Sequence, residues 1–487
     1  MRRTAHARRA GGPLIRRLAA VAALVAAVVA VVSALSGPPG PSGGTAGVVA
    51  VASMSTSPGS PRRRGATGGT DRAAGASRRG HGAGAATPAA FPQARPTAPA
   101  GPAQARLTTA LARQLALSGP RSGALVVNLR TGATLFSLRA AVGRAPASVE
   151  KLWTTVAALR MLGPRARLQT SLLGTGFERD GVWHGNLYLR GGGDPTFSDT
   201  AFDRAWFGGL GPTATEMADQ IIARGIHGAT GRLYADESLF DRRRGGLLTG
   251  QLADVPDLGG QLSALVYDHG AAPRGYNPAT FAAHELALTL RAAGVRVLAA
   301  SRDAVTPPRA RPLATVSSPT LTALIRLMNV PSDDLFAEML AKQLGVRFGA
   351  GGTIAAGARV IGRTIAADYG LRPLILDGSG LSPSDRSSPL EVVGLLRQVW
   401  QTPIGRELQA SLPVVGRQGT VQGIAVGTAA AGNCVAKTGT LDYVTNMAGY
   451  CTARGHQPLA FAVFVDGPTN SAAIALEGAM VAAIARY

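Results

Sequence analysis

A serine followed three residues later by a lysine, and a lysine-threonine-glycine run far downstream, are the residue types here whose spacing could do chemistry. Ser148-Val149-Glu150-Lys151 opens an apolar run that reaches Leu162 and is stopped by Gly163-Pro164, the pattern of a helix with a clean end. Residues three apart share a helix face, so hydroxyl and amine are neighbours near its N-terminus. A serine hydroxyl is a poor nucleophile until a base takes its proton, and an uncharged lysine can do so if burial or a second cation depresses its pKa. The helix N-terminus adds free N–H groups and a positive dipole end, which suit a developing oxyanion. Alone the pattern is weak, because a capping serine with an exposed lysine one turn on gives the same letters. Lys437-Thr438-Gly439-Thr440 is more informative. It lies mid-strand beside apolar residues, where a lysine is costly unless employed, and a strand glycine lets something approach closely.

The lysine count sharpens this reading. The chain has 50 basic residues, of which only Lys151, Lys342 and Lys437 are lysine. Where positive charge alone is needed the chain writes arginine; lysine is the cation that can give up its proton. Two of the three fall in the two motifs. Lys342 sits on a helix without such company and reads as solvated surface.

The elements that must position these residues follow from the rest of the sequence. At 487 residues the chain exceeds one core, so two folded domains with tails are expected. The net charge of +22 invites a nucleic-acid or membrane partner, but residues 1–106 hold 14 Arg against one Asp, a net +13 that leaves +9 for the remainder. No aromatic-interleaved basic stripe accompanies it, so a nucleic-acid partner is not expected. Residues 1–35 form a signal or membrane-anchor segment: arginines precede Leu18 to Leu35, 18 apolar residues without a charge. The arginines stay inside, so the bulk of the chain is expected outside the cytoplasm, either anchored at the outer face of the membrane by residues 18–35 or secreted. Residues 36–106, rich in Gly, Pro and Ala, read as a disordered linker.

Folded sequence is expected from Leu107, with a short helix and a hairpin around "LRTGA". Residues 107–170 and 311–487 are expected to form one domain around an antiparallel sheet covered by helices, with 171–310 inserted as a smaller α/β domain. "LRGGGDPTF" reads as a tight turn of the insert, since no G-K-[ST] follows. Strands are expected at Asn433–Leu441, Thr445–Thr452 and Leu459–Val465, before a last helix. Cys434 and Cys451 lie symmetrically about Asp442-Tyr443, so a hairpin there places them opposite each other. In an oxidising space that allows a disulfide; two buried free thiols are the alternative. The Cys and His spacings give no support for a metal site.

With these motifs in hand, Ser148-Val149-Glu150-Lys151, Ser332-Asp333-Asp334 and Lys437-Thr438-Gly439 resemble the S-x-x-K, S-x-N and K-T-G motifs of penicillin-recognising serine acyl-transferases. "LRGGGDPTF", "MNVPSDDLFAEML", "DGSGLSPSDR" and "VAKTGTLDYVTNMAGY" narrow the resemblance to the D-alanyl-D-alanine carboxypeptidase/endopeptidase family, the class C low-molecular-mass penicillin-binding proteins, over roughly residues 107–487. The resemblance implies a β-lactamase/transpeptidase-like fold and no cofactor. It implies peptidoglycan stem peptides ending in D-Ala-D-Ala as substrates, with β-lactams as inhibitors. By position, Ser148 is the acylated nucleophile, Lys151 its base and Ser332 the proton relay to the leaving amine. Lys437, Thr438 and Thr440 bind the terminal carboxylate beside Gly439, and the N–H groups of Ser148 and Thr440 form the oxyanion hole. "DGSGLSPSDR" is expected to border the cleft, a plain helix connector being the alternative.

Two departures matter. The second motif ends in Asp334 where the family usually has Asn, and a carboxylate beside Lys151 holds that lysine's proton and weakens it as a base. This opens a second reading, a catalytically weak wall-binding or scaffolding penicillin-binding protein. The insert is also short for the family, so one extra domain is expected rather than two.

Overall fold

The computed structural model describes residues 101–246 and 255–487. The apolar segment 18–35 and nearly all of the 36–106 linker lie outside the described residues. No helix among the described residues is long and apolar enough to cross a membrane.

In chain order, helix α1 (Pro102–Ala116) is followed by β1 (Gly123–Asn128), β2 (Thr134–Leu138) and α2 (Lys151–Leu162). Next come β3 (Gln169–Arg179), β4 (Val182–Arg190), α3 (Ala214–Ala223), β5 (Gly228–Asp236), α4 (Pro278–Ala292), β6 (Arg296–Asp303) and β7 (Arg311–Ser317). Helices α5 (Leu321–Asn329), α6 (Asp334–Phe348), α7 (Ile354–Tyr369), α8 (Pro389–Val399) and α9 (Pro403–Ser411) lead to β8 (Cys434–Leu441), β9 (Val444–Ala453), β10 (Gln457–Asp466) and α10 (Asn470–Ala485). Helix α1 thus begins five residues before Leu107, at Pro102, which occupies a first-turn position where its missing N–H costs nothing.

Two five-stranded sheets organise these elements. The first has the order β2-β1-β10-β9-β8 and is antiparallel throughout, so it is sewn from both ends of the chain. Its inner strands bury both faces, which is why they read as nearly unbroken apolar runs. Leu125, Val127, Ala460, Ala462 and Phe464 join α2 and α5 to α8 on one side. Val126, Phe461 and Val463 join α1 and α10 on the other. The side chains alternate between the faces with the strand period of two. Strand β8 is an edge.

The second sheet, β6-β5-β4-β3-β7, has parallel neighbours on one side and antiparallel ones on the other. It runs from Gln169 to Ser317, beyond the 171–310 bounds expected for the insert. The extension follows from β7, whose Leu313, Ala314 and Val316 bury into the core of this sheet with α3 and α4. "LRGGGDPTF" is a turn leaving β4, and side chains on Gly191 or Gly192 would strike the carbonyls of Ala264 and Gln169. Within it Asp194 Oδ1 accepts from the Thr196 N–H and hydroxyl, and burial pushes its carboxyl up to about 7.

Candidate active site

The expected helix over Ala147–Leu162 divides. Residues Ala147–Glu150 form a 3₁₀ turn, and the α-helix begins only at Lys151. Ala147 is held at φ 47°, a strained value for a residue with a side chain, costing on the order of 1–3 kcal/mol. Such strain persists only where neighbours over-determine the conformation, and here two do. Asn446 on β9 donates to the Ala145 carbonyl at 2.9 Å. Gly380 lies so close that a Cβ there would meet the Ala147 carbonyl oxygen at 1.9 Å. The Ser148 side chain makes no cap hydrogen bond to the helix, so the capping reading of S-x-x-K does not apply.

Lys151 is fully buried, and its Nζ lies 2.9 Å from Ser148 Oγ and 2.8 Å from the carbonyl of Ser379, and also contacts Asp334 Oδ1. The amine thus meets the serine hydroxyl, a backbone carbonyl and a carboxylate at once. The Ser379 contact puts "DGSGLSPSDR" at the cleft as well as between α7 and α8. Asp334 is the first residue of α6, and its carboxyl is pushed up by burial against the opposing pull of Lys151.

Lys437 enters the same pocket from β8. It is fully buried, donates to Ser332 Oγ at 2.7 Å and to its neighbour Thr438's carbonyl at 2.8 Å. Burial first, and the Lys151 charge second, hold its pKa well below the ordinary lysine value. Gly439 explains how the strand comes so close: a Cβ would meet Pro146 O at 2.5 Å and the Ser148 N at 2.9 Å. Thr438 donates to Thr420 Oγ1 at 2.7 Å. Thr440, paired with Thr445 across the hairpin, is exposed at the rim of a cavity of about 700 Å³ that Asn446, Leu381 and Arg386 also line. Ser332 sits at φ 67°, a second strained residue, immediately before the α6 cap. The structure therefore brings Ser148, Lys151, Ser332, Asp334 and Lys437 to one pocket at a sheet edge, with Thr438, Gly439 and Thr440 along its wall. Behind that wall Cys434 and Cys451 face each other in register and form a disulfide.

Lys342 corrects an expectation. It is fully buried, pairs with Asp241 and lies 5.6 Å over the Phe240 ring. Every residue of α6 from Leu335 to Gly345 is buried, so a lysine on that helix has no water to reach.

A group of carboxyls behind Lys151 escaped the sequence reading. Glu338 accepts from the N–H groups of Gly378 and Ser379, and Asp377 from those of Ser379, Gly380 and Ser382. Asp385 accepts from Leu376 N, and Glu150 is fully buried with no partner for either oxygen among the described residues. Burial, then the charges of the other members, push the Glu150, Glu338 and Asp385 carboxyls up. Two of these acids lie inside "DGSGLSPSDR" and one inside S-V-E-K, which was the available signal.

The arrangement sets a hydroxyl against a buried amine, with a second amine and hydroxyl facing it, which makes Ser148 a candidate nucleophile. A family model for D-Ala-D-Ala carboxypeptidase 3 (S13) matches residues 103–249 and 256–487, and the chain belongs to that peptidase family. A carboxypeptidase DacB of Mycolicibacterium smegmatis is 32% identical over 403 residues, taking in 77% of this chain and 83% of the relative. A D-alanyl-D-alanine carboxypeptidase of an Actinomadura species is 29% identical over 465 residues, 76% of this chain and 82% of the relative. The crystal structure of penicillin binding protein 4 (dacB) from Haemophilus influenzae superposes with a TM-score of 0.65 at 20% identity, over 77% of this chain and 99% of that one, so the fold is shared.

Proposed function

We propose that the chain is an exported serine DD-peptidase that removes the terminal D-Ala, or opens D-amino-acid cross-links, of peptidoglycan stem peptides through an acyl-enzyme. The observation that carries the reading is the buried Lys151 Nζ 2.9 Å from Ser148 Oγ, with Gly439 of the edge strand pressed on the same turn. The substrate adds along the open edge of β8, its terminal carboxylate meeting Lys437, Thr438 and Thr440. Ser148 Oγ attacks the penultimate carbonyl as Lys151 takes its proton. The developing oxyanion lies between the Ser148 and Thr440 N–H groups. Ser332 passes a proton to the departing D-Ala amine, and water then releases the acyl group. A β-lactam acylates the same oxygen. Arginines followed by the apolar segment Leu18–Leu35 support export, with that segment as anchor or leader.

Fluorescent penicillin should label the full chain and not Ser148→Ala, with peptide mapping placing the adduct at residue 148. Label on the Ser148→Ala protein sinks the assignment. The Lys151–Asp334 ion pair favours a second reading, a wall-binding protein of feeble activity. Release of D-Ala from a stem pentapeptide at a rate no better than that of the Ser148→Ala protein would select it. Export is tested by protease accessibility on intact cells; a protected, cytoplasmic chain refutes it.

A further inference from the structure

Between the Ser332-Asp333-Asp334 turn and the segment that follows β5 lies a contact that the acyl-transfer reading does not use. His269 belongs to the segment joining β5 to α4, where three successive residues, Asp268, His269 and Gly270, have φ of 45°, 59° and 73°. Its Nε2 lies 2.7 Å from Asp333 Oδ2, and its Nδ1 lies 3.1 Å from the Gly259 carbonyl oxygen. A carboxylate and a carbonyl only accept hydrogen bonds, so a neutral imidazole, with a single N–H, leaves one of the two contacts as a pair of facing acceptors. Only the imidazolium satisfies both. Asp333 in turn is the middle residue of Ser332-Asp333-Asp334, and its other oxygen accepts from Phe336 N at 2.9 Å, capping α6.

We infer that His269 is a positioning residue held as imidazolium, clamping through Asp333 the strained turn that aims Ser332 at Lys437 and Asp334 at Lys151. The second sheet thereby has a task in the reaction: one of its loops fixes the second motif. The Phe336 ring, stacked on the imidazole at 5.9 Å between centroids, limits its rotation. Burial lowers the His269 pKa, but the Asp333 charge and hydrogen bond, with the Gly259 carbonyl, more than offset this and leave it above the ordinary value. The other ionisable groups lining the same cavity are Arg326 of α5 and Asp268. Asp268 accepts from Asp199 N, and burial pushes its carboxyl up to about 7, so it needs its own control.

The clamp rests on the Ser148 reading only in its kinetic test. Penicillin labelling rates of the full chain are measured from about pH 5 to 9, the range a histidine spans. The wild type should slow as pH rises through the His269 titration. His269→Gln and Asp333→Asn should each label about tenfold more slowly at the acid end and lack that step. Their double variant should be no slower than either, as expected of one coupled contact. Asparagine preserves the α6 cap, so Asp333→Asn carries the test if His269→Gln fails to fold. Asp268→Asn should keep the step; its loss there, or a wild-type rate and profile in His269→Gln, overturns the inference. A histidine-labelled NMR titration needs no activity: the resonance missing in His269→Gln should be an imidazolium at neutral pH, and a neutral ring there sinks the clamp even if the Ser148 reading stands.

Discussion

Lys437 and Lys342 are both fully buried lysines, yet they stand in opposite circumstances. Lys342 is countered: a carboxylate of Asp241 meets its ammonium and an aromatic face lies beneath it. Lys437 has a hydroxyl and a carbonyl for partners, with no carboxylate in hydrogen-bond reach among the described residues, and the charge of Lys151 acts against it. Burial lowers the pKa at both sites, so burial alone does not mark the chemistry. What separates them is the company each keeps: a cation paired with a carboxylate in a helical core, and an amine with no directly bonded carboxylate on an edge strand beside the candidate nucleophile. A buried lysine that is left without a counter-charge has been kept for a proton or for an anion yet to arrive.

The sharpest way to break this contrast is to change both residues. Lys437→Arg installs a permanent charge and replaces a compact amine by a fork too large for the Ser332 contact. Penicillin labelling should fall on the order of a hundredfold or more, the scale of losing one transition-state donor. Lys342→Met should label at the wild-type rate per folded molecule, because Asp241 is partly exposed and can be rehydrated. Its stability should move by no more than about 2 kcal/mol, below the usual cost of stranding a buried charge, since the carboxylate left behind reaches water. A Lys342→Met protein that folds but labels as poorly as Lys437→Arg would erase the distinction.

A smaller effect tests the counter-charge directly. Asp334 gives Lys151 the kind of partner that Asp241 gives Lys342, and so makes the proposed base resemble the structural lysine. Asp334→Asn should release it. The acylation rate should rise severalfold to about tenfold, the latter corresponding to one pKa unit of relief. An unchanged or slower rate shows that the carboxylate is not the brake.

How far these sites could be read from sequence depends on where their partners lie. The hairpin of β8 and β9 was legible because turn, glycine and cysteines sit within one short stretch and strand alternation fixes who faces whom. Ser148 and Lys151 were legible because three residues bring them together on any helical turn, although the 3₁₀ geometry and the strain at Ala147 were not, being imposed by Gly380 and Asn446 from distant segments. Lys342 was misread for the same reason. Glu338, Lys342 and Gln343 look like the wet face of an amphipathic helix, whereas α6 is packed on every side and Asp241 arrives from about a hundred residues away. His269 and Thr420 gave no local signal; each matters only through a contact with a motif far along the chain.

The smallest expected effect concerns pH and separates acids from amines. The Glu150, Glu338 and Asp385 carboxyls are raised, as is Glu477 on α10, by burial. A raised acid contributes stability that is fully present below its unfolded value, about 4, and is lost as pH climbs toward the folded value. Lys437 has the opposite sign: the unfolded chain binds a proton that the folded one refuses, so its contribution improves as pH rises toward the unfolded lysine value near 10.4. Between pH 5 and 8 the raised acids outnumber the two lowered amines, Lys342 and Lys437, and the melting temperature should fall. Asp385→Asn preserves an acceptor for Leu376 N while removing one of the titrating groups and the charge that presses on Glu150. Its melting temperature should therefore fall less over the same interval, with the gain over wild type appearing at pH 8 rather than at pH 5. If the two proteins lose stability in parallel, the acids behind Lys151 are not the source of the slope, and their role in holding the Ser379 carbonyl against that lysine has to be sought in geometry alone.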